Sequence, residues 1–198
     1  MYPSRPGLLI GFHGCEKSVR DSIVSGTSMI KASENGYDWL GGGFYFWENN
    51  YERALEFAQS PPGKKKYKVP AVLGAIIDLE YCLDLLDTKY LRLVKDSYSN
   101  FVLSARANEQ EKLQNKTVKG STDKLLRELD CAVIENLHSM QRQIHLKPFD
   151  SVRGVFVEGD ELYPGAGFHD KNHIQICIRN PNCIKGFFIP KGEVQWKD

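Results

Sequence analysis

The β-rich runs of this chain lie near its two ends, and the middle of the chain carries helical patterns. Short runs that predict strands cover residues 8–12, 44–47, 71–79, 152–157, 174–178 and 184–189. Apolar residues at helical spacing cover residues 83–93, 97–107 and 125–143, and a shorter helix is predicted over residues 51–59, capped by Asn49-Asn50. Because strands must bury an apolar face against another layer, this order predicts an α+β fold in which both ends of the chain meet in one sheet system.

Length and composition predict a single domain. The 198 residues are 41% hydrophobic, and 26 Lys and Arg residues nearly balance 25 Asp and Glu residues. Such a chain can bury one substantial core, but it offers no net charge that would draw it to nucleic acid or to a membrane surface. We therefore predict one domain over residues 1–198, with a mainly helical insertion at about 80–150.

The sequence favours a cytoplasmic protein without a membrane span. Its longest apolar runs, such as residues 72–77, are far shorter than the roughly 20 residues that a spanning helix needs. The N-terminus has no long apolar stretch before a small-residue cleavage site, so we expect no secretory signal. Five cysteines without paired spacing indicate reduced thiols. Cys177 and Cys183 do not form the close pair of a zinc site, so we expect no metal.

Three stretches could carry chemistry. Residues 12–15, F-H-G-C, stand at the predicted end of the first strand, where an imidazole can hydrogen-bond and the glycine leaves backbone open. Residues 40–47, L-G-G-G-F-Y-F-W, combine glycines that allow close approach with the flat, polar ring of Tyr45. Residues 158–178 form a loop rich in glycine and charge before a predicted strand. Each stretch alone is also consistent with a structural role.

Together the three stretches resemble the ADP-ribosyltransferase superfamily, most closely its poly-ADP-ribose polymerase and diphtheria-toxin branch. That branch has a His-Gly-Ser/Thr strand, a glycine-rich turn into a G-x-Y-F strand, and a glutamate on a strand near the C-terminus. His13 and Tyr45 occupy the first two motifs, although Cys15 stands where the family has Ser or Thr. The resemblance covers residues 8–58 and 152–189 and leaves 80–150 without a counterpart.

The resemblance implies two small, mostly antiparallel sheets packed around a cleft for NAD. It implies that His13 holds a ribose hydroxyl and that the Gly14 backbone grips the nicotinamide carboxamide. Tyr45 would pack on one face of the nicotinamide ring, and Phe57 would cover the other. The NAD-binding residues expected from the family are His13, Gly14, Cys15, Gly43, Tyr45 and Phe57.

The family's catalytic glutamate has no direct counterpart here. The late strand places Gln175 at the acid position, or His173 after a two-residue shift. A glutamine can hold a ribose hydroxyl, but it supplies no negative charge and accepts no proton as a base. Either Glu158 or Glu161 brings a carboxylate to the site, or the chemistry is weaker or different. The predicted catalytic residues are His13, Tyr45 and Gln175.

The expected function is mono-ADP-ribosylation, in which ADP-ribose passes from NAD to a protein or nucleic-acid acceptor, as in a microbial toxin or effector. A first alternative is a non-catalytic module that binds NAD or ADP-ribose, and Gln175 favours it. A second is RNA 2′-phosphate transfer to NAD on the same scaffold. That reaction uses several basic residues, for which the candidates are Arg153, Arg179, His169 and His173.

Overall fold

Seven strands and four α-helices make up the computed structural model, which describes residues 7–61, 66–109, 111–118 and 123–192. The strands are β1 (Leu9–Glu16), β2 (Phe44–Glu48), β3 (Pro70–Ile77), β4 (Cys82–Asp84), β5 (Ser151–Phe156), β6 (His173–Ile178) and β7 (Ile184–Phe188). The helices are α1 (Lys17–Val24), α2 (Tyr51–Gln59), α3 (Thr88–Ala107) and α4 (Glu128–Gln143), with a 3₁₀ turn at Pro181–Cys183. None of the described helices is long and apolar enough to span a membrane.

The strands form one mixed sheet in the order β4, β5, β6, β2, β1, β3, β7. Neighbouring strands are antiparallel except β4 and β5, which are parallel. The α+β class is therefore confirmed, and the ends of the chain meet because β1 and β7 both flank β3. The prediction of two separate packed sheets is wrong for the described strands, because pairing of Gly11 with Glu48 and of Phe12 with Trp47 joins the two halves.

The junction between β1 and β2 is short. β1 pairs with β3 along its whole length, from Leu9 to Glu16, but with β2 only at Gly11 and Phe12. Ladder pairing between the two central strands therefore stops directly before His13. At such a stop, side chains and ligands can reach backbone groups that a continued ladder would occupy.

The two faces of the sheet carry different side chains and are covered by different elements. Alternation along β2 puts Tyr45 and Trp47 on one face, here called the front face, and Phe46 on the back face. α2 covers the front face through Ala54, and α4 covers it through Ile134 and Leu137. The back-face core contains Phe46, Ala75, Ile77, Leu79, Ile176, Ile178 and Cys183.

Most element predictions are confirmed, and the exceptions have local causes. α2 begins after Asn50, whose side chain accepts a hydrogen bond from Arg53 N at 3.1 Å. β1 continues to Glu16 because β3 keeps pairing with it, so His13 lies inside the strand and not at its end. α4 starts later than predicted because Leu126 is held in a bridge with Lys116.

The predicted helix over residues 83–93 is wrong at its start. Leu83 is fully buried in β4, which pairs with β5. The helix then begins after Asp87, which caps Lys89 N at 2.8 Å. From there α3 runs unbroken to Ala107, because no glycine or proline separates the two predicted helical segments.

Candidate functional site

His13 lies where β1 and β2 stop pairing, and its side chain bridges them. Its imidazole Nδ1 donates a hydrogen bond to the Tyr45 carbonyl oxygen at 2.8 Å. The ring is half-buried and lies edge-on to Phe46, with 6.0 Å between the ring centroids. His13 and Tyr45, which the sequence placed in one site, are therefore in contact, although their side chains point to opposite faces of the sheet.

The hydroxyl of Tyr45 is bound to the glycine turn of its own chain segment. It donates to Gly41 O at 2.8 Å and accepts from Leu40 N at 3.0 Å. Burial raises the pKa of Tyr45 well above its usual value, so the phenol stays neutral. The ring packs against the front-face core next to Cys177. In this arrangement Tyr45 shapes the turn and does not present its hydroxyl to a ligand.

The other predicted NAD-binding residues also make internal contacts. A Cβ at Gly14 would collide with the Ala54 carbonyl of α2, and one at Gly43 would lie 2.5 Å from Ile178 O. These glycines therefore let chain segments approach each other. Cys15 is buried, and burial raises the pKa of its thiol to about 11, so it carries no thiolate at neutral pH. Phe57 lies against Trp47, with 5.1 Å between the ring centroids.

Gln175 stands on the front face of β6, opposite Trp47 of β2. Its Oε1 accepts a hydrogen bond from Trp39 Nε1 at 2.6 Å. The Trp39 ring lies close over Gly154, where a Cβ would come within 2.7 Å of it, and 5.2 Å from the Phe156 ring. Trp39 therefore fixes the orientation of the Gln175 amide.

A group of polar and aromatic side chains surrounds Gln175 and is called the front-face cluster. Its members are Trp39, Trp47, Arg53, Glu158, His173 and Gln175. Glu158 accepts from Arg53 Nη2 at 2.7 Å and lies 3.8 Å from His173 Nδ1. The side chain of Glu158 is 18% exposed, so this carboxylate is held at the rim of the cluster. One of the two candidate acids thus reaches the predicted site.

His173 is neutral and presents a lone pair. Its Nδ1 donates to Lys171 O at 2.7 Å, which leaves Nε2 as the acceptor nitrogen. Burial, together with the positive charges of Arg53 and Arg127, lowers the pKa of His173 to about 4. The ring stacks on Phe156 at a centroid distance of 5.5 Å.

Three buried polar atoms of the front-face cluster have no hydrogen-bond partner among the described residues. They are Trp47 Nε1, Arg53 Nε and His173 Nε2. The first two are donors, and the third is an acceptor. Buried polar groups are nearly always paired with protein, water or ligand. The cluster therefore has two donors and one acceptor available for a small polar group that both accepts and donates.

Other sequence candidates lie apart from the cluster. Glu161 is exposed and accepts from Gly165 N at 2.8 Å within its own loop. Arg153 points to the back face, where it is ion-paired with Glu48 and Asp84. Arg179 pairs with Glu135, and His169 Nδ1 donates to Gly159 O at 2.8 Å. Of the four basic residues considered for 2′-phosphate transfer, His173 belongs to the cluster, and the other three are each held by a separate partner.

Two clefts open around α3. One of about 380 Å³ lies beside Trp39 and Arg127, between α3 and α4. Arg127 lies over Phe156, 4.0 Å from its ring centroid. A second cleft of about 430 Å³ is lined by residues of α3, by Tyr81 and by Phe149, none of which belongs to the front-face cluster. The first cleft thus reaches one member of the front-face cluster, Trp39.

Several cluster residues were missed in the sequence. Trp47 directly follows the G-x-Y-F motif, Arg53 comes six residues after Trp47, and Trp39 stands two residues before the first glycine, so proximity to the motif was a usable signal. Arg127, which lies beside the cluster over the Phe156 ring, comes from the region without a family counterpart and carried no such signal. No group of His, Cys, Asp and Glu side chains in the described parts of the chain could hold a metal ion.

Comparison with family models, with curated proteins and with solved structures gave no match.

Proposed function

We propose that this protein is an NAD-dependent mono-ADP-ribosyltransferase that transfers ADP-ribose to a protein or nucleic-acid acceptor. The observation that carries the proposal is the adjacency of the three motif strands. β6, β2 and β1, which hold Gln175, Tyr45 and His13, are consecutive in the sheet. Residues far apart in the sequence thus lie on neighbouring strands, which supports the proposal, with His13 on the back face and Tyr45 and Gln175 on the front face.

The unpaired atoms of the front-face cluster fit an NAD site. A carboxamide has one carbonyl acceptor and one amino donor, which match in kind the unpaired donors Trp47 Nε1 and Arg53 Nε and the unpaired acceptor His173 Nε2. The rings of Trp47, Phe57 and Phe156 supply flat apolar walls nearby. Buried polar groups with defined donor and acceptor roles are typical of sites that bind small molecules.

The proposed chemistry breaks the bond between the nicotinamide nitrogen and C1 of the ribose. Nicotinamide leaves with the electron pair, a nucleophile of the acceptor bonds to C1, and its proton passes to a base or to water. Positive charge develops on the ribose during this step, so a fixed negative charge nearby lowers the barrier. Gln175 holds a ribose hydroxyl in place, and Glu158 supplies the charge that Gln175 lacks.

A non-catalytic NAD-binding module is the second candidate, and one observation favours it. The Oε1 atom of Gln175 is already bound by Trp39, and the carboxylate of Glu158 is paired with Arg53. Both groups are thereby less able to act on a developing cation. Such a protein would bind NAD and leave the glycosidic bond intact.

Purified protein mixed with NAD labelled in the nicotinamide ring separates the two candidates. Transferase activity predicts release of labelled nicotinamide, with added ADP-ribose mass on an acceptor when a lysate is present. Measurable NAD binding without release in any lysate supports the binding module. Absence of both binding and release rules out both proposals.

A further inference from the structure

One ion pair holds both polar backbone groups of Gly42. Glu135 Oε1 accepts from Gly42 N at 2.8 Å, and Arg179 Nη1 donates to Gly42 O at 3.1 Å. The two side chains also bind each other, at 2.6 Å between Nη1 and Oε1 and at 3.0 Å between Nη2 and Oε2. The pair therefore closes around a single residue of the glycine turn.

This arrangement of the ion pair around Gly42 requires a glycine at position 41. Its φ of +83° lies in the left-handed region, which favours glycine. A Cβ at Gly41 would lie 2.5 Å from Arg179 Nη1 and 2.6 Å from Glu135 Oε1. A side chain here would displace the ion pair, so the conformation of the turn and the pair depend on each other.

The turn connects the ion pair to the candidate site. Trp39, which holds the Gln175 amide, is two residues before Gly41. Leu40, between them, is fully buried and thus leaves Trp39 little freedom to move independently. On the other side of the turn, Tyr45 binds Gly41 O. A shift of the turn would therefore move the partner of Gln175.

The charge state of the pair is stable at neutral pH. Burial alone would raise the pKa of Glu135, but hydrogen bonds from Arg179 and Gly42 outweigh burial and lower this pKa. Glu135 belongs to α4, within the region that has no counterpart in the family, and Arg179 directly follows β6. α4 thus brings a charged group to the segment that shapes the site.

We propose that Glu135 and Arg179 are positioning residues that hold the glycine turn and, through it, orient Trp39 on Gln175. The geometric part of this inference does not depend on any activity, whereas its kinetic consequence rests on the proposed function. The proposal gives the helical region at about 80–150 a role in the candidate site. The family resemblance gave that region no role.

Amide and indole hydrogen exchange, followed by NMR, test the geometric part. Glu135→Ala removes the acceptor of Gly42 N, so exchange of the Gly42 amide and of the Trp39 indole N–H should rise about tenfold or more, as expected for loss of a charge-assisted hydrogen bond. Glu135→Gln keeps an acceptor oxygen and should restore most of the Gly42 protection. Glu128→Ala is the matched control on the same helix, because Glu128 pairs only with the exposed Lys116 among its described ion pairs. It should leave both exchange rates unchanged.

Steady-state kinetics and NAD binding test the consequence. With Trp39 released, Glu135→Ala should lower kcat about tenfold while the Kd for NAD changes less than about threefold, because small misplacements cost rate more than binding. Unchanged Gly42 exchange in Glu135→Ala overturns the inference. So does faster Gly42 exchange with unchanged Trp39 exchange. If the wild type leaves NAD intact, the proposed function fails, and the two exchange rates still decide the positioning role.

Discussion

The Nδ1 atom of His13 lies 2.8 Å from the carbonyl oxygen of Tyr45, at the end of the pairing between β1 and β2. The side chain thus satisfies a backbone carbonyl that a longer ladder would have paired. This contact joins the two motifs by which the chain resembles ADP-ribosyltransferases, and it fixes His13 in one tautomer.

His13→Ala should abolish NAD consumption and leave the fold intact. The variant loses the imidazole that, under the proposed function, would hold a ribose hydroxyl. His13→Asn should keep the hydrogen bond to Tyr45 O, since the asparagine Nδ2 can replace Nδ1 as donor. Circular dichroism checks the fold, and nicotinamide release checks the activity. Wild-type turnover in His13→Ala would remove the basis for assigning the site.

Replacing Tyr45 by phenylalanine and by alanine should have different effects on stability. Tyr45→Phe leaves the buried Leu40 N without its acceptor, which should cost about 1–3 kcal/mol of the free energy of unfolding. Tyr45→Ala also removes the ring from the front-face core and should cost about 3–5 kcal/mol. Urea denaturation measures both. If NAD consumption is lost in the alanine variant but retained in the phenylalanine variant, the ring and not the hydroxyl serves the site.

Two buried histidines should make the protein sensitive to acid. Burial lowers the pKa of His173 and of His138 to about 4, from an ordinary value of 6.5. In the unfolded chain each histidine takes up a proton near pH 6.5, whereas the folded protein resists protonation until near pH 4. The free energy of unfolding should therefore fall as the pH drops through this window, by about 3 kcal/mol for each histidine.

His173→Phe tests the contribution of one histidine. The phenylalanine ring keeps the stack on Phe156 but cannot titrate. Between pH 6.5 and pH 4, the two histidines contribute about equally to the slope of the free energy of unfolding against pH. His173→Phe should therefore remove about half of their joint contribution. Denaturation curves at several pH values measure the slope. An unchanged slope would mean that His173 takes up its proton over the same pH range in the folded and the unfolded protein.

The sequence predicts local elements better than it predicts the candidate site. The helix over residues 51–59 was predictable because Asn50 caps it and its apolar positions recur at helical spacing. β1 was predicted too short because its end depends on pairing with β3, which is distant in the sequence. Leu83 was assigned to a helix because a three-residue strand has too few positions to show a period.

The candidate site depends on contacts that no local pattern encodes. Gln175 was selected by its place in a motif, but its bond to Trp39 spans 136 positions. The sheet order brings Glu158 and not Glu161 to His173, although both belong to the same loop. The face on which His13 lies follows from the register of β1 with β2, which the sequence leaves open.

Arg153 should be among the costliest residues to replace. Its side chain is 4% exposed and lies on the back face, where Nε is 2.5 Å from Glu48 and Nη1 is 3.2 Å from Asp84. Arg153→Met removes the buried guanidinium that both carboxylates bind, so it should cost about 3–5 kcal/mol of the free energy of unfolding. Urea denaturation measures this loss. A loss below about 1 kcal/mol would mean that the ion pairs are solvated and contribute as surface pairs do.

Gln175→Glu tests whether this residue occupies the catalytic position. A carboxylate keeps the acceptor for Trp39 Nε1 and adds a negative charge where the ribose cation would form, so NAD hydrolysis should survive or rise. Gln175→Leu is the matched control, since it preserves size and removes the hydrogen bond. It should lower both nicotinamide release and the protection of the Trp39 indole N–H. Unfolding of Gln175→Glu, or a rate equal to that of the leucine variant, would place residue 175 outside the catalytic site and leave Glu158 as the acid to be tested next.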